Sequence, residues 1–177
     1  ESLAQAVSLG KDTFSTGVID PATTEGCVRV LKSYREKLTE YGITRPDQIH
    51  VVATSAVREA LNRQSFLQRI YVATGFNVEP FDEAAVNRVT YLGVLPLLAS
   101  EPRLAEAQTL IVEVGGGSTE VLLIDHGDVA FAHTFRLGSL RLRKTLEAFH
   151  APVGEVRRSM ASQIARMVHQ IRNAEHD

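Results

Sequence analysis

The sequence predicts an α/β fold. Apolar stretches at helical spacing alternate with short β-rich runs, and one such run, Ile111 to Val114, breaks into Gly115-Gly116-Gly117-Ser118-Thr119-Glu120. A buried strand that ends in a glycine loop can bring several backbone N–H groups close to an anion, so phosphate chemistry is the leading reading. The other elements follow in order. Ser2 to Gly10 carries a strand-like pattern. Asp20-Pro21 supplies an N-cap and a proline in the first turn, after which Cys27, Val30, Leu31, Tyr34, Leu38 and Tyr41 recur at helical spacing until Gly42. Pro46-Asp47 breaks the chain before Ile49 to Ala53, a β-rich run that stops at Thr54-Ser55. A helical region carrying Val57, Leu61, Phe66, Leu67 and Ile70 then runs to Gly75, and an extended piece follows around Val78. From Asp82 to Leu98 the pattern is helical again, although Gly93 and Pro96 weaken its final turns.

Glu101-Pro102-Arg103 marks a change of lobe, which divides the chain into a first lobe, residues 1–100, and the start of a second, residues 101–177. Thr109–Val114, Val121–Ile124 and Val129–Phe135 read as a three-strand meander, turned at the glycine loop and again at Asp125-His126-Gly127-Asp128. Helices over Ser139–Phe149 and from Val153 onward complete the pattern.

A chain of 177 residues with 44% hydrophobic and 23% charged content is ordinary for a soluble globular protein. Its net charge of −2 provides no global field for a polyanion, so a phosphate ligand must be gripped locally and extended nucleic-acid binding is excluded. The single cysteine, Cys27, excludes an internal disulfide and falls on an apolar helix face, where it reads as a buried inert thiol. No apolar segment reaches membrane-span length and no basic-then-apolar leader begins the chain, so a cytoplasmic protein without a membrane partner is expected. The opening residue is not Met and lies in a strand-like pattern, which suggests a piece of a longer, N-terminally truncated polypeptide. His126, His169 and His176 lack zinc-ligand spacing and read as solvated surface.

Four motifs in one order carry a family resemblance. They are Ala53-Thr54-Ser55-Ala56-Val57-Arg58-Glu59-Ala60-Leu61-Asn62, then Tyr91-Leu92-Gly93-Val94, then Val114-Gly115-Gly116-Gly117-Ser118-Thr119-Glu120, and last Arg136-Leu137-Gly138-Ser139-Leu140-Arg141-Leu142. On these the chain resembles the exopolyphosphatase and guanosine pentaphosphate phosphatase (Ppx/GppA) family of the actin-like ATPase superfamily. The resemblance implies ribonuclease-H-like lobes with mixed sheets flanked by helices, a cleft between lobes, and a homodimer in the full-length protein. It also implies hydrolysis of a terminal phosphoanhydride of inorganic polyphosphate or guanosine pentaphosphate, with Mg²⁺ or another divalent cation. A first phosphate loop of the form Asp-Leu-Gly-Ser-Asn-Ser would lie upstream of Glu1.

Such chemistry needs donors on the phosphate, a divalent cation and a carboxylate that orients or deprotonates water. Gly115, Gly116 and Gly117 would offer amides, and Ser118 and Thr119 hydroxyls. Arg58, at the start of a helix, would pair with phosphate through its guanidinium fork, and Thr54 and Ser55 would add hydroxyls or amides. Glu120 would lie beside the cation, against the alternative of a solvated strand residue. Gly138 reads as a close-approach position.

Two departures from the family pattern bear on catalysis. Where members carry aspartate two residues before the glycines this chain has Glu113, a candidate for catalysis and for the cation. The family's catalytic glutamate lies in a Gly-x-Glu-Glu-Ala segment, and counting back without gaps from Leu92-Gly93-Val94 puts Val86 there. A small insertion instead makes Glu83 the water-activating base, while Asp82 and Glu83 equally suit a helix N-terminus. A chain without the usual acids would be a non-catalytic polyphosphate or alarmone sensor.

Overall fold

The computed structural model describes residues 2–149 and 152–174, so His176 and the end of the chain lie outside the described residues. Two compact units divide at Asp82/Glu83. The break at Glu101-Pro102-Arg103 places the lobe boundary at residue 100, but the helix that follows Asp82 packs on the second unit's strands and groups with them.

In the first unit the order is α1 (Leu9–Thr16), α2 (Pro21–Glu40), a 3₁₀ turn (Pro46–Gln48), β1 (Val51–Ala53), α3 (Ser55–Arg58), α4 (Arg63–Thr74) and β2 (Val78–Pro80). The strand-like opening does not form a strand. Residues 2–8 are irregular and pair with neither β1 nor β2, and a helix takes over at Leu9 until Gly17 ends it at φ +80°. For α2 the expected cap is present: Asp20 accepts from the Ala22 amide at 2.8 Å, with Pro21 in the first turn. β1 and β2 pair in parallel, Val51 opposite Val78 and Ala53 opposite Pro80.

The helical region expected from Val57 to Gly75 is broken between α3 and α4. Asn62 explains the break, since its side-chain amide accepts from the Ile19 amide at 2.9 Å and donates to the Ile19 carbonyl at 2.8 Å. The Leu61 amide donates to the Gly17 carbonyl nearby. These long-range bonds commit backbone and side chain to a connection rather than a helix. Around them Ile19, Val28, Val57, Ala60, Phe66 and Ile70 form the buried core, with Cys27 packed at its edge. Burial pushes the Cys27 thiol up, so it carries less thiolate at neutral pH than an exposed cysteine, as suits an inert thiol. Arg69 on α4 grips Glu25 on α2 through two bonds, of 2.7 and 3.0 Å, and the hydrogen bond holds that carboxyl below its usual range.

The second unit comprises α5 (Glu83–Ser100), α6 (Pro102–Ala105), β3 (Thr109–Val114), β4 (Thr119–Asp125), β5 (Asp128–Phe135), α7 (Ser139–Phe149) and α8 (Val153–Ala174). The expected meander is present as an antiparallel sheet in the order β3-β4-β5. β4 is central and buried from Thr119 to Ile124, which is why Val121 to Ile124 are apolar without alternation. His126 and Gly127 both take positive φ, 50° and 89°, at the two central positions of the β4–β5 turn. No helix among the described residues is long and apolar enough to cross a membrane.

Ile70 is fully buried at the centre of the first unit, so Ile70→Ala should cost about 2–5 kcal/mol of that unit's stability. Urea unfolding followed by circular dichroism measures it, and an unchanged midpoint would contradict the assigned core.

Candidate functional site

The glycine turn joins β3 to β4, and Val114 pairs with Thr119 at its base. The Gly115 amide donates to the Ser118 carbonyl at 2.9 Å, which extends the ladder by one bond. In a two-residue hairpin the return bond would run from Ser118 to the Gly115 carbonyl. Here that carbonyl accepts instead from the Ser139 amide at 2.9 Å and the Ser139 hydroxyl at 3.2 Å.

The first turn of α7 takes the rest of the loop's carbonyls in the same way. The Leu140 and Arg141 amides donate to the Gly116 carbonyl at 2.9 and 3.1 Å, and Arg141 Nε donates to the Gly117 carbonyl at 2.8 Å. The N–H groups that a helix start leaves without partners are thus used to hold the loop. The carbonyls are turned toward α7, and the amides of Gly116, Gly117 and Ser118 have no bonded acceptor among the described residues.

Glycine is required here for proximity. None of the three loop glycines takes positive φ, whereas a Cβ on Gly138 would lie 2.4 Å from the Gly116 carbonyl carbon and oxygen and from the Gly117 carbonyl carbon. Two backbones cross at that point with no room for a side chain. A Cβ on Gly116 would meet only the Leu140 side chain, at 3.1 Å.

Several expected donors are committed elsewhere. The Gly115 amide is closed into the ladder, the Ser118 hydroxyl donates to Glu120 Oε1 at 2.7 Å, and the Thr119 hydroxyl donates to the Leu137 carbonyl. These three therefore shape the turn in this structure, and Gly116, Gly117 and the Ser118 amide remain as candidate phosphate donors. Glu120 is only 4% exposed, which removes the alternative of a solvated strand residue.

Glu113 and Glu120 stand directly opposite each other on β3 and β4, and Glu120 stands opposite Thr134 on β5. Directly opposed residues share a face, so Glu113, Glu120 and Thr134 form one polar row across the sheet. α5 lies over this row. Thr90 Oγ1 donates to Glu113 Oε2 at 2.8 Å, and Asn87 Nδ2 donates to Thr134 Oγ1 at 3.3 Å. Farther along, the Tyr91 hydroxyl donates to the Gly127 carbonyl at the opposite end of the sheet. α5 therefore runs away from the glycine-turn end, and Glu83, one turn (about 6 Å) before Asn87 and on the same helix face, sits toward that end. It is exposed.

Asn87 and Thr90 were not singled out from the sequence, although two uncharged polar residues three apart fall on one face of this helix and signal that something polar faces them. Among the described residues no group of three acidic, histidine or cysteine side chains is close enough to hold a metal by itself. The row and its cover nevertheless suit a hard cation: their oxygens are carboxylate, hydroxyl and amide, and the buried Asn87 Oδ1 has no hydrogen-bond partner among the described residues.

In the first unit Thr54 precedes α3 and Ser55 opens it, at the end of β1 as expected. Arg58, expected at a helix start, is instead the last residue of this one-turn helix, because the Asn62 clamp ends it there; its Nη1 donates to the Phe81 carbonyl at 2.7 Å.

A parallel sheet in the first unit, and in the second an antiparallel sheet with a carboxylate-backed glycine turn, place the chain among α/β proteins. Residues 1–174 match the Ppx/GppA phosphatase family, and the chain belongs to it. It is 29% identical over 141 residues to exopolyphosphatase 2 of Mycobacterium tuberculosis, covering 77% of this chain and 42% of that protein. It is 25% identical over 138 residues to the bifunctional 3-dehydroquinate synthase/phosphatase of Fusobacterium nucleatum, covering 78% of this chain and 20% of that one. Among solved structures, an exopolyphosphatase from Cytophaga hutchinsonii superimposes with a TM-score of 0.70 at 27% identity, covering 80% of this chain and 43% of that one. A Ppx/GppA family member from Aquifex aeolicus gives 0.61 at 30%, covering 78% and 43%. The chain thus spans less than half the length of these relatives.

Gly138→Ala should cost about 1–3 kcal/mol, because a methyl group there must displace backbone. Gly116→Ala should cost less, since Leu140 can rotate. Thermal unfolding of both variants checks the order, and a Gly138→Ala protein as stable as wild type would contradict the backbone crossing.

Proposed function

We propose that the protein hydrolyses a terminal phosphoanhydride of inorganic polyphosphate, or of guanosine pentaphosphate, with release of phosphate. The observation that carries this reading is the turn at Gly116 to Ser118, three consecutive amides without a bonded acceptor among the described residues, two positions before the buried carboxylate of Glu120. Amides fixed in this way stabilise charge on a tetrahedral anion without having to reorganise during the reaction. Exopolyphosphatases among the relatives favour polyphosphate as the substrate class.

Glu120 and Glu113, as opposed carboxylates, would hold Mg²⁺ or a similar ion, and that ion would offset phosphate charge when bound. Glu113 has one methylene more than the family's aspartate, and its bond from Thr90 fixes where the longer arm goes. Glu83 at the start of α5 would orient or deprotonate the attacking water; its place one turn before Asn87 supports this role. Arg58, Thr54 and Ser55 remain candidates for further phosphate contacts.

A second reading is a sensor that binds polyphosphate or an alarmone without cleaving it. It is favoured by Val86 at the ungapped position of the family base, where no group can take a proton.

Phosphate release from polyphosphate with Mg²⁺ separates the two. Glu83→Gln should lower kcat on the order of 100-fold or more with little change in binding, the loss expected for a general base. Saturable binding without release by wild type would reject the hydrolase and favour the sensor, whereas unchanged turnover in Glu83→Gln would reject only the base. Replacing polyphosphate by guanosine pentaphosphate and comparing kcat/KM assigns the substrate.

A further inference from the structure

We infer that Asn87 supplies an oxygen, directly or through one water, to the divalent cation that Glu120 holds. The inference rests on the cation-dependent reading above and extends it to a residue that neither the glycine turn nor the acidic pair includes.

The argument begins with the row Glu113, Glu120, Thr134, whose neighbours are one strand spacing apart, about 4.8 Å. α5 bonds to both ends of the row, through Thr90 to Glu113 and through Asn87 to Thr134. Residues three apart on a helix are neighbours on its surface, so the Asn87–Thr90 edge lies over the middle member, Glu120. Asn87 is 9% exposed and Glu120 4%, so both belong to one buried layer.

In that layer one buried acceptor lacks a donor among the described residues. Glu120 has two carboxylate oxygens, of which Oε1 receives the only hydroxyl proton of Ser118. Asn87 uses one N–H on Thr134, and its Oδ1 is buried without a partner. A buried acceptor without a donor is unfavourable. A hard cation or its bound water would meet that oxygen together with the Glu120 carboxylate, because amide and carboxylate oxygens are its ordinary ligands. Glu113, exposed at the edge of the row, leaves a route by which the ion enters.

The test uses the purified full chain and Mn²⁺, whose free-ion electron paramagnetic resonance signal reports binding without any turnover. Asn87→Ala should weaken Mn²⁺ at least roughly ten-fold, the usual lower bound for loss of a cation's supporting group. Asn87→Asp, nearly the same shape with a carboxylate oxygen in place of the amide, should bind at least as tightly as wild type. Thermal unfolding is followed for each variant; if Asn87→Ala does not fold, Asn87→Asp alone carries the test.

Absence of saturable Mn²⁺ binding by wild type, wild-type affinity in Asn87→Ala, or weaker binding in Asn87→Asp than in wild type would each overturn the inference. The last would mean that the amide presents its N–H rather than its oxygen. Loss of Mn²⁺ binding in Glu120→Gln with none in Asn87→Ala would sink Asn87 and leave the hydrolase reading intact. Asn87-dependent binding without phosphate release would do the reverse.

Discussion

The second unit depends on a crossing of two backbones. Where Gly138 passes Gly116 and Gly117 the separation leaves no space for a Cβ, and this contact brings the first turn of α7 close enough to take the carbonyls of Gly115, Gly116 and Gly117. A helix start has amides to give and a glycine turn has carbonyls to satisfy, so each meets the other's need. The consequence is polarity: with the carbonyls drawn to α7, the amides of the turn are left for something else. Glycine serves here by being small, and a side chain at position 138 could not pass the turn so closely.

The polar row under α5 has a different logic. A central strand buried along its length should be wholly apolar, yet β4 carries Glu120 near its start and the strands on either side place Glu113 and Thr134 beside it. Burying such a group is unfavourable unless partners meet it. Ser118 supplies one, and α5 adds Thr90 and Asn87 to its neighbours, so the helix acts as a partly polar cover in which one acceptor is still unmet. Such a residual imbalance is tolerated where a ligand restores it, and the same face lies at the turn end of the sheet.

The first unit is organised by apolar burial around Ile70 and by one polar clamp. Asn62 returns to both backbone groups of Ile19, and this tie ends α3 after a single turn and leaves Arg58 at its last residue. The position of a candidate phosphate ligand is therefore set by a hydrogen bond to a segment more than forty residues earlier.

By itself the sequence determined the elements whose causes are local. Asp20-Pro21 starts α2 because cap and proline act within one turn, the β4–β5 turn forms because His126-Gly127 accepts positive φ, and the alternation of helix and strand periods sets the α/β class. The glycine turn was legible for the same reason, whereas the closeness of Gly138, which lies against residues more than twenty positions earlier, was legible only through the family resemblance. Tertiary structure decided what depends on partners distant in sequence: that residues 2–8 find no strand to pair with, that Asn62 splits a helix, that α5 joins the second unit, and that Ser118 and Thr119 spend their hydroxyls inside the fold. It also decided which carboxylate is buried. Glu113 and Glu120 are alike as residues, and only the placement of β4 between two strands makes one of them a buried ligand candidate and leaves the other in solvent.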